Sequence, residues 1–300
     1  MGCGFLGRVL ARRLRAAGYA VFGTVRRASA SDALVQDGVV PLIVDVSRPA
    51  TFGTLRSLLD ATRPLRVFYL VPPGTTAPGS TPDADHKANG ITPVVEKLCT
   101  SPLHRAVLAS STGVYGETKG HSVSAETPVT PVSARAQRLF AIEQAWLGLG
   151  SAARIVRLAG LYGPGRVIGL TALRAGRPIG GDPDGLLNLI HVDDAAALLQ
   201  TVAECEGAGT FELGSDGNPI QRADYYGYLA EKLGVNCRFS AQGDTNAYGR
   251  RSASRSCDNS STRARTRWVP RYPDFRIALD GLLHDPDIAG TWSSWRAVIS

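Results

Sequence analysis

The stretch that decides the fold is the opening one, MGCGFLGRVLARRL, residues 1–14. Its glycines stand at the spacing G-x-G-x-x-G, and an arginine-rich helical pattern follows them. Between a buried strand and a helix, this spacing is typical of a dinucleotide-binding turn. The first glycine permits the tight turn, and the second lets the pyrophosphate approach the backbone. The third lets the helix pack closely on the sheet. The pattern predicts dinucleotide binding by Gly2, Gly4, Phe5, Leu6 and Gly7; the alternative is a turn that binds nothing.

The strand that should lead into this turn is not in the sequence, because only a methionine precedes Gly2. An open sheet without its central strand leaves unpaired backbone groups in the core, which is costly. We therefore expect the reading frame to begin about 6 to 12 residues upstream, one strand's length. A chain that is a fragment, or a fold that lacks this strand, are the alternatives.

Short apolar runs alternate with amphipathic stretches through the first half of the chain. This alternation predicts an α/β fold with a doubly wound, mostly parallel Rossmann sheet whose first strand is missing from the sequence. Beyond about residue 162 the alternation weakens. We predict a dinucleotide-binding domain over residues 1–163, with a return of the chain at about 186–214. A smaller C-terminal substrate lobe takes up most of 164–300, and Ser240 to Ser261 reads as a polar loop.

Composition excludes several classes of protein. The chain has 300 residues, 44% of them hydrophobic, which is enough for a sizeable core. Its cysteines are odd in number and lack C-x-x-C spacing: Cys3, Cys99, Cys205, Cys237 and Cys257. This pattern argues against a disulfide framework and against a metal site. It favours a cytoplasmic location. No apolar run approaches the roughly 18 residues of a membrane helix, so we expect no membrane partner.

The formal net charge of +7 raises the question of nucleic-acid binding. Residues 250–271 hold seven arginines and one acid, Asp258. A nucleic-acid surface is one interpretation of such a stretch. We favour a solvated face or an arm that contacts an anionic small ligand, because only four of the 33 basic residues are lysines and an arginine bias also follows from genome composition.

The end of the second predicted strand indicates the cofactor. Enzymes that prefer NAD usually carry an acid about 20 residues beyond the glycines, bonded to the ribose 2′-hydroxyl. Here no Asp or Glu precedes Asp32, and the strand closes with GTVRR. The guanidinium groups of Arg26 and Arg27 suit a 2′-phosphate, so we predict NADP over NAD. Asp45, after the third strand, is a candidate adenine contact or a cap for the next turn.

Five motifs, in this order, span nearly the whole chain: GCGFLG (2–7), SSTGVYG (110–116), RLAGLYGPGR (157–166), NLIHVDDAA (188–196) and RYPDFRIAL (271–279). On these the chain resembles the extended short-chain dehydrogenases/reductases of the NAD-dependent epimerase/dehydratase group. The closing motif and the short length resemble the atypical YeeZ-like subgroup. The resemblance implies redox or epimerase/dehydratase chemistry at a hydroxyl or carbonyl carbon, with a nucleotide sugar among the candidate substrates.

In that family a Ser or Thr after the fifth strand orients the substrate oxygen. Ser111 or Thr112 takes this role by resemblance; the alternative is a strand-end hydroxyl that only satisfies the backbone. The GPGR loop implies that Arg166, and with it Arg157, meets an anionic group of the substrate, unless these are packing arginines. His191 is implied at the joint with the substrate lobe, where Asp193 or Asp194 would cap the next helix.

The family's Tyr-x-x-x-Lys pair, which moves the proton, is absent from its expected place. Counting back from Glu143, the tyrosine position holds Arg135 and the lysine position holds Leu139. Two other Tyr-x-x-x-Lys strings occur, Tyr115 to Lys119 beside glycines and Tyr228 to Lys232 in the C-terminal lobe. We interpret both as decoys, and Tyr115 is the first candidate if another group supplies the proton.

Two functions of different class follow from these observations. The first is an NADP-dependent epimerase/dehydratase or reductase that acts on a small substrate. The second is an NADP-binding sensor or scaffold without turnover, favoured by the missing Tyr-Lys pair. A nucleic-acid-associated relative is a remote third, and a homo-oligomer is left open.

Overall fold

The computed structural model describes residues 1–60, 64–74, 91–240 and 254–283. A sheet of four parallel strands lies at its centre, in the order β11-β6-β4-β3. The strands are β3 (Leu65–Tyr69), β4 (Leu103–Ser111), β6 (Ala153–Leu158) and β11 (Phe211–Gly214). A second parallel pair, β1 (Phe22–Val25) and β2 (Val40–Ile43), stands beside them. The predicted α/β fold with a mostly parallel sheet is confirmed.

Residues 1–3 join these two sheets. Met1 accepts a hydrogen bond from the Leu70 amide just beyond β3 at 2.9 Å. On the other side, Cys3 donates to the Thr24 carbonyl in β1 at 3.0 Å, and Gly2 donates to the Thr24 hydroxyl at 2.9 Å. The segment thus lies between β1 and β3, where a strand leading into the glycine turn belongs.

Helices cover both faces of the sheet. On one face, α1 (Phe5–Ala16) packs with α7 (Val192–Glu204) over β4 and β6. On the other face lie α3 (Gly53–Leu59), α4 (Ile91–Cys99) and α5 (Ala134–Leu147). Each helix turns an apolar stripe to the sheet, as in α4, where Ile91, Val94 and Leu98 are all buried. A short α2 (Ser31–Gln36) packs against β1 and β2.

A separate apolar cluster forms beyond the sheet, built on α6 (Leu170–Arg174), α8 (Arg222–Leu233) and α10 (Phe275–Leu283). Short strand pairs surround it: β7 (Gly160–Tyr162) with β10 (Leu189–His191), β8 (Ile179–Gly180) with β13 (Phe239–Ser240), and β9 (Leu186–Leu187) with β12 (Ile220–Gln221). The three helices of this cluster fall within residues 164–300, predicted as mainly the substrate lobe; the domain boundaries stay predictions.

The predicted polar loop from Ser240 to Ser261 is wrong at its end. There the chain forms β14 (Ser256–Cys257), which pairs in parallel with β5 (Ser122–Val123), and then enters α9 (Ser260–Thr266). A distant residue hydrogen-bonds to the backbone of this segment, since the Asn188 side chain accepts from the Cys257 amide at 2.8 Å. Residues 241–253 lie outside the described part of the chain.

The described residues include neither a transmembrane helix nor a cluster of metal-ligating side chains. None of their helices is long and apolar enough to cross a membrane. Within the same ranges, no group of three or more His, Cys, Asp or Glu side chains is placed to hold a metal ion.

Candidate functional site

The glycine turn has the geometry that a bound dinucleotide needs. Gly2 has a φ of +84°, a conformation that favours glycine. A Cβ at Gly7 would lie 2.4 Å from the Gly2 carbonyl oxygen, so only glycine lets α1 approach the turn this closely. At Gly4, by contrast, a Cβ would meet nothing within 4 Å. The turn is therefore closed toward the protein and open at Gly4, the position through which a pyrophosphate approaches.

The first turn of α1 offers unused hydrogen-bond donors. Its N-cap is Gly4, which has no side chain to cap it. Within the described residues, the amides of Phe5, Leu6 and Gly7 donate to no protein acceptor. Free amides and the helix dipole at an N-terminus favour an anion. The residues present thus fit the diphosphate of a nicotinamide dinucleotide.

The two arginines predicted to select NADP over NAD lie directly after β1. Arg26 and Arg27 are both exposed, directly after Val25. Asp45 follows β2, and its carboxylate accepts from the Ser47 amide at 3.0 Å and from the Ser47 hydroxyl at 2.6 Å. These bonds lower the pKa of Asp45, with the Arg48 and Arg26 charges adding to the effect. Asp45 thus closes its own turn, the second of the two roles predicted for it.

Ser111 ends β4 and Thr112 directly follows it, and the two side chains have different surroundings. Ser111 is half-buried, and its hydroxyl oxygen accepts from the Gly113 amide at 3.2 Å. Thr112 is 6% exposed, and its hydroxyl partly opposes the rise that burial causes in the pKa of Cys257. Since the Ser111 hydroxyl keeps its proton to donate, it is the better placed of the two to orient a substrate oxygen.

Tyr115 is buried and its hydroxyl is engaged. The hydroxyl donates to the Ser124 carbonyl at 2.6 Å and accepts from Arg157 Nη1 at 3.3 Å. Burial raises the pKa of Tyr115, and the Arg157 contact only partly opposes this. A tyrosine that moves protons near neutral pH needs a lowered pKa, so these surroundings favour a structural role. Lys119, four residues on, is exposed in a left-handed conformation (φ 53°) and not on a helix with Tyr115.

Arg157 is a packing arginine. It is 4% exposed, and its Nη2 donates to the fully buried Glu143 carboxylate of α5 at 2.8 Å. Its guanidinium carbon also lies 4.5 Å from the ring centre of Phe211. This occupied, buried group is not available to an anionic substrate, and the role predicted for Arg166 stays a prediction.

The first turn of α5 carries Arg135, the residue that the family resemblance sets at the tyrosine position. Ser133 caps the helix by accepting from the Ala136 amide at 3.1 Å. Arg135 is exposed on this turn, whereas Leu139, one turn later, is 6% exposed and packs with Val114 and Tyr115. Neither side chain is a proton donor at neutral pH, because arginine stays charged and leucine has no proton to give.

Arg166 approaches the glycine turn from the other side. Reciprocal backbone hydrogen bonds with Gly163, both 2.9 Å, hold it in a tight turn after β7. Its guanidinium carbon lies 5.5 Å from the ring centre of Phe5, the first residue of α1. The charge of Arg166 is therefore held next to the helix terminus that suits an anion.

His191 lies at the joint between sheet and C-terminal cluster. It is 3% exposed, and its ring centre is 4.2 Å from that of Tyr272. Its Nδ1 accepts from the Asp193 amide at 3.3 Å and so caps α7, a role predicted for an aspartate. Asp194 instead accepts from the amides of Arg271 and Tyr272 at 2.7 and 2.9 Å. Burial lowers the pKa of His191, which favours its neutral form.

One titratable group near this joint was missed from the sequence. Asp216 is 5% exposed, two residues after β11. Burial, joined by the nearby Asp274 and Asp194, raises its pKa to about 7. The only signal was an acid directly after a buried strand at the carboxyl edge of the sheet.

Comparisons with known proteins agree with this geometry. The model of the NAD dependent epimerase/dehydratase family matches residues 2–214. Protein YeeZ of Escherichia coli K12 is 27% identical over 242 residues, 78% of this chain and 83% of the relative. A structure of a functionally unknown conserved protein from Silicibacter pomeroyi is 26% identical, with a TM-score of 0.72 over 94% of this chain and 95% of its own.

A more distant structure shares the fold alone. It is dTDP-glucose 4,6-dehydratase from Bacillus anthracis in complex with NAD, which is 14% identical, with a TM-score of 0.75 over 99% of this chain and 97% of its own.

Proposed function

Because the chain belongs to the NAD-dependent epimerase/dehydratase family, we propose that it binds NADP and exchanges a hydride at a hydroxyl or carbonyl carbon of a small anionic substrate. The observation that carries the proposal is the turn at Gly2 to Gly7, closed to any side chain at Gly7 and open at Gly4. The nicotinamide, when bound, supplies or accepts the hydride. A cytoplasmic location is part of the proposal, supported by five cysteines that are all unpaired.

The residues of the chain would divide the remaining work. The α1 amides would hold the diphosphate, and Arg26 and Arg27 the 2′-phosphate. Ser111 would donate its hydroxyl proton as a hydrogen bond to the substrate oxygen and so fix the reacting carbon. Arg166 would bind an anionic group of the substrate. Nucleotide sugars are one such class, and the dehydratase with the same fold acts on one by its name.

The cofactor preference tests the proposal directly. Protein titrated with NADPH and NADH, followed by nicotinamide fluorescence, should bind NADPH more tightly. Losing charge-assisted bonds to an ionised phosphate weakens binding by roughly tenfold or more, so the variant Arg26→Ala with Arg27→Ala should lose that much affinity for NADPH and almost none for NADH. Arg56→Ala, another exposed arginine, is the matched control. Equal affinities of the unmodified protein for both cofactors would contradict the NADP assignment.

A second candidate is an NADP-binding sensor or scaffold without turnover. The observation that favours it is the pair Arg135 and Leu139 at the family's tyrosine and lysine positions. Positioned acid–base catalysis typically contributes about 10²–10⁴ in rate, so we expect weak or no turnover on ordinary nucleotide sugars. Assays with NADPH and a panel of carbonyl and nucleotide-sugar substrates decide between the candidates.

Tyr115→Phe refines that decision. Turnover that drops in this variant while NADPH binding persists would assign the proton to Tyr115. Brisk turnover that survives the change would exclude it. If neither form turns over any substrate and both bind NADPH, the sensor function is favoured.

A further inference from the structure

Thr24, in strand β1, holds the glycine turn at two points. Its hydroxyl oxygen accepts a hydrogen bond from the Gly2 amide at 2.9 Å, and its carbonyl oxygen accepts one from the Cys3 amide at 3.0 Å. Thr24 is 5% exposed. Gly2 and Cys3 are the first two residues of the glycine motif, so one strand residue fixes where the turn lies relative to β1.

The turn is packed closely on both sides. A Cβ at Gly23, next to Thr24 in β1, would lie 2.7 Å from the Cys3 sulfur. On the other side, a Cβ at Gly2 would lie 3.0 Å from the carbonyl carbon of Leu70, just beyond β3. The hydroxyl of Thr24 is the side-chain group that bonds to Gly2 in this packing, so a substitution can remove that bond and leave the backbone bond to Cys3 in place.

The position of Gly2 determines the positions of the other two glycines. Its carbonyl oxygen accepts from the Gly4 amide at 2.9 Å, and the same oxygen is the atom that a Cβ at Gly7 would meet at 2.4 Å. Gly4 is the open position of the turn, and Gly7 lies in the first turn of α1. A shift of Gly2 would therefore move both the opening for the pyrophosphate and the helix terminus that faces it.

Without the Thr24 hydroxyl, the Gly2 amide would need another acceptor. A buried amide without an acceptor is costly, so the turn of the free protein would move until water reaches the amide. Cofactor binding would then have to restore the original turn. The free energy needed for this would appear as weaker binding of any cofactor that uses the turn.

We propose that Thr24 is a positioning residue for the dinucleotide: its hydroxyl holds Gly2 in the conformation in which the α1 amides meet the diphosphate. It acts through Gly2 and does not touch the cofactor. The inference rests on the proposed function and deepens it, because it names the side chain that arranges the turn before the cofactor binds.

Thr24→Val tests the proposal, because valine keeps the β-branched shape and removes the acceptor. In a fluorescence titration, the affinities for NADPH and for NADH should both fall on the order of tenfold, since both cofactors carry the diphosphate. The Arg26→Ala, Arg27→Ala variant, in contrast, should weaken NADPH alone. Thr24→Ser, which keeps a hydroxyl, should restore most of both affinities.

Thr262→Val is the matched control. Thr262 is fully buried, and its hydroxyl oxygen likewise accepts from a backbone amide, that of Leu213, at 2.9 Å. Leu213 is in β11, at the opposite edge of the central sheet from β3. Thr262→Val should therefore lower the free energy of unfolding as Thr24→Val does, and leave both cofactor affinities unchanged.

The Cys3 thiol gives a readout that needs no cofactor. Cys3 is half-buried, with its sulfur against Gly23, and burial raises the pKa of its thiol. A turn that moves away from β1 exposes this thiol. Iodoacetamide should therefore label Cys3 severalfold faster in Thr24→Val than in the unmodified protein or in Thr262→Val, as mass spectrometry of the N-terminal peptide would measure.

Three results would overturn the proposal: unchanged cofactor affinities in Thr24→Val, a loss confined to NADPH, or an equal loss in Thr262→Val. The second would assign the effect to the arginines at the 2′-phosphate, and the third to stability alone. If the unmodified protein binds neither cofactor, the proposed function fails. Cys3 labelling then decides by itself whether Thr24 holds the turn, and an unchanged labelling rate in Thr24→Val would exclude it.

Discussion

The buried ion pair between Glu143 and Arg157 allows a quantitative test of how the site is supported. The Glu143 carboxylate is fully buried and accepts from Arg157 Nε at 3.1 Å, from Arg157 Nη2 at 2.8 Å and from Ser110 Oγ at 2.6 Å. Arg157→Leu removes two of these three donors. A buried charge that loses its partner costs about 3–5 kcal/mol, so the free energy of unfolding should fall by that amount.

Urea unfolding followed by circular dichroism measures this loss. The informative comparison is a variant in which Glu143→Leu and Ser110→Ala accompany Arg157→Leu, so that neither a charge nor a hydroxyl is left unpaired. Replacing a whole buried pair with apolar residues is often neutral or stabilising, and this variant should recover most of the lost stability. A loss below about 1 kcal/mol in Arg157→Leu, or a combined variant less stable than the single one, would refute the reasoning.

Two further perturbations follow from the geometry of the site. The folded pKa of Asp216, about 7, lies above its ordinary 3.8, so its contribution to stability is complete below about pH 4 and is lost as pH rises through 7. Asp216→Asn should therefore flatten the fall of stability between pH 4 and 8 in urea unfolding, and an unchanged slope would contradict the raised pKa. Gly7→Ala places a Cβ 2.4 Å from the Gly2 carbonyl, whereas Gly53→Ala meets nothing within 4 Å. Only the first should abolish tight NADPH binding in a fluorescence titration, and equal binding by both variants would exclude the turn as the cofactor site.

The elements of the fold could be predicted because their signals are local. The helix expected at about Ile91 to Cys99 spans those residues, and the one expected at SARAQRLFAIEQAWL begins directly after its Ser133 cap. Periodicity, caps and glycines lie within a few residues of the structure they specify. The parallel sheet followed because strands alternating with helices have few other ways to bury both faces.

The partners of individual side chains could not be predicted in the same way. The bond from Asp194 to the Arg271 amide joins residues 77 positions apart, and nothing near Asp194 distinguishes it from the helix cap expected there. His191 caps α7 instead. The polar run that ends in β14 likewise reads as a loop, because its partners Asn188 and β5 lie far away in the sequence.

The Glu143–Arg157 pair did leave a signal in the sequence. Arg157 interrupts the apolar strand ARIVRLAG, and Glu143 falls on the apolar face of α5 beside Ile142 and Trp146. A charged residue on a buried face is rare unless it is paired. When two such residues have opposite charges and lie on neighbouring elements of one βαβ unit, each indicates that the other is its ion-pair partner. From that signal, Arg157 could have been predicted as a core residue from the sequence alone.

In the proposed function, cofactor binding depends on backbone groups, whereas proton transfer depends on individual side chains. Comparisons with known proteins therefore predict cofactor binding better than they predict the chemistry. The glycine turn would hold the cofactor through backbone amides, and it lies within residues 2–214, which the family model matches. The resemblance to the family implies a proton-transfer tyrosine at the start of α5, where this chain has Arg135. A guanidinium there cannot give up a proton near neutral pH, but it can bind an anion bidentately. Family membership therefore predicts the cofactor class, whereas the proton-transfer group has to be identified by testing side chains of this chain such as Tyr115.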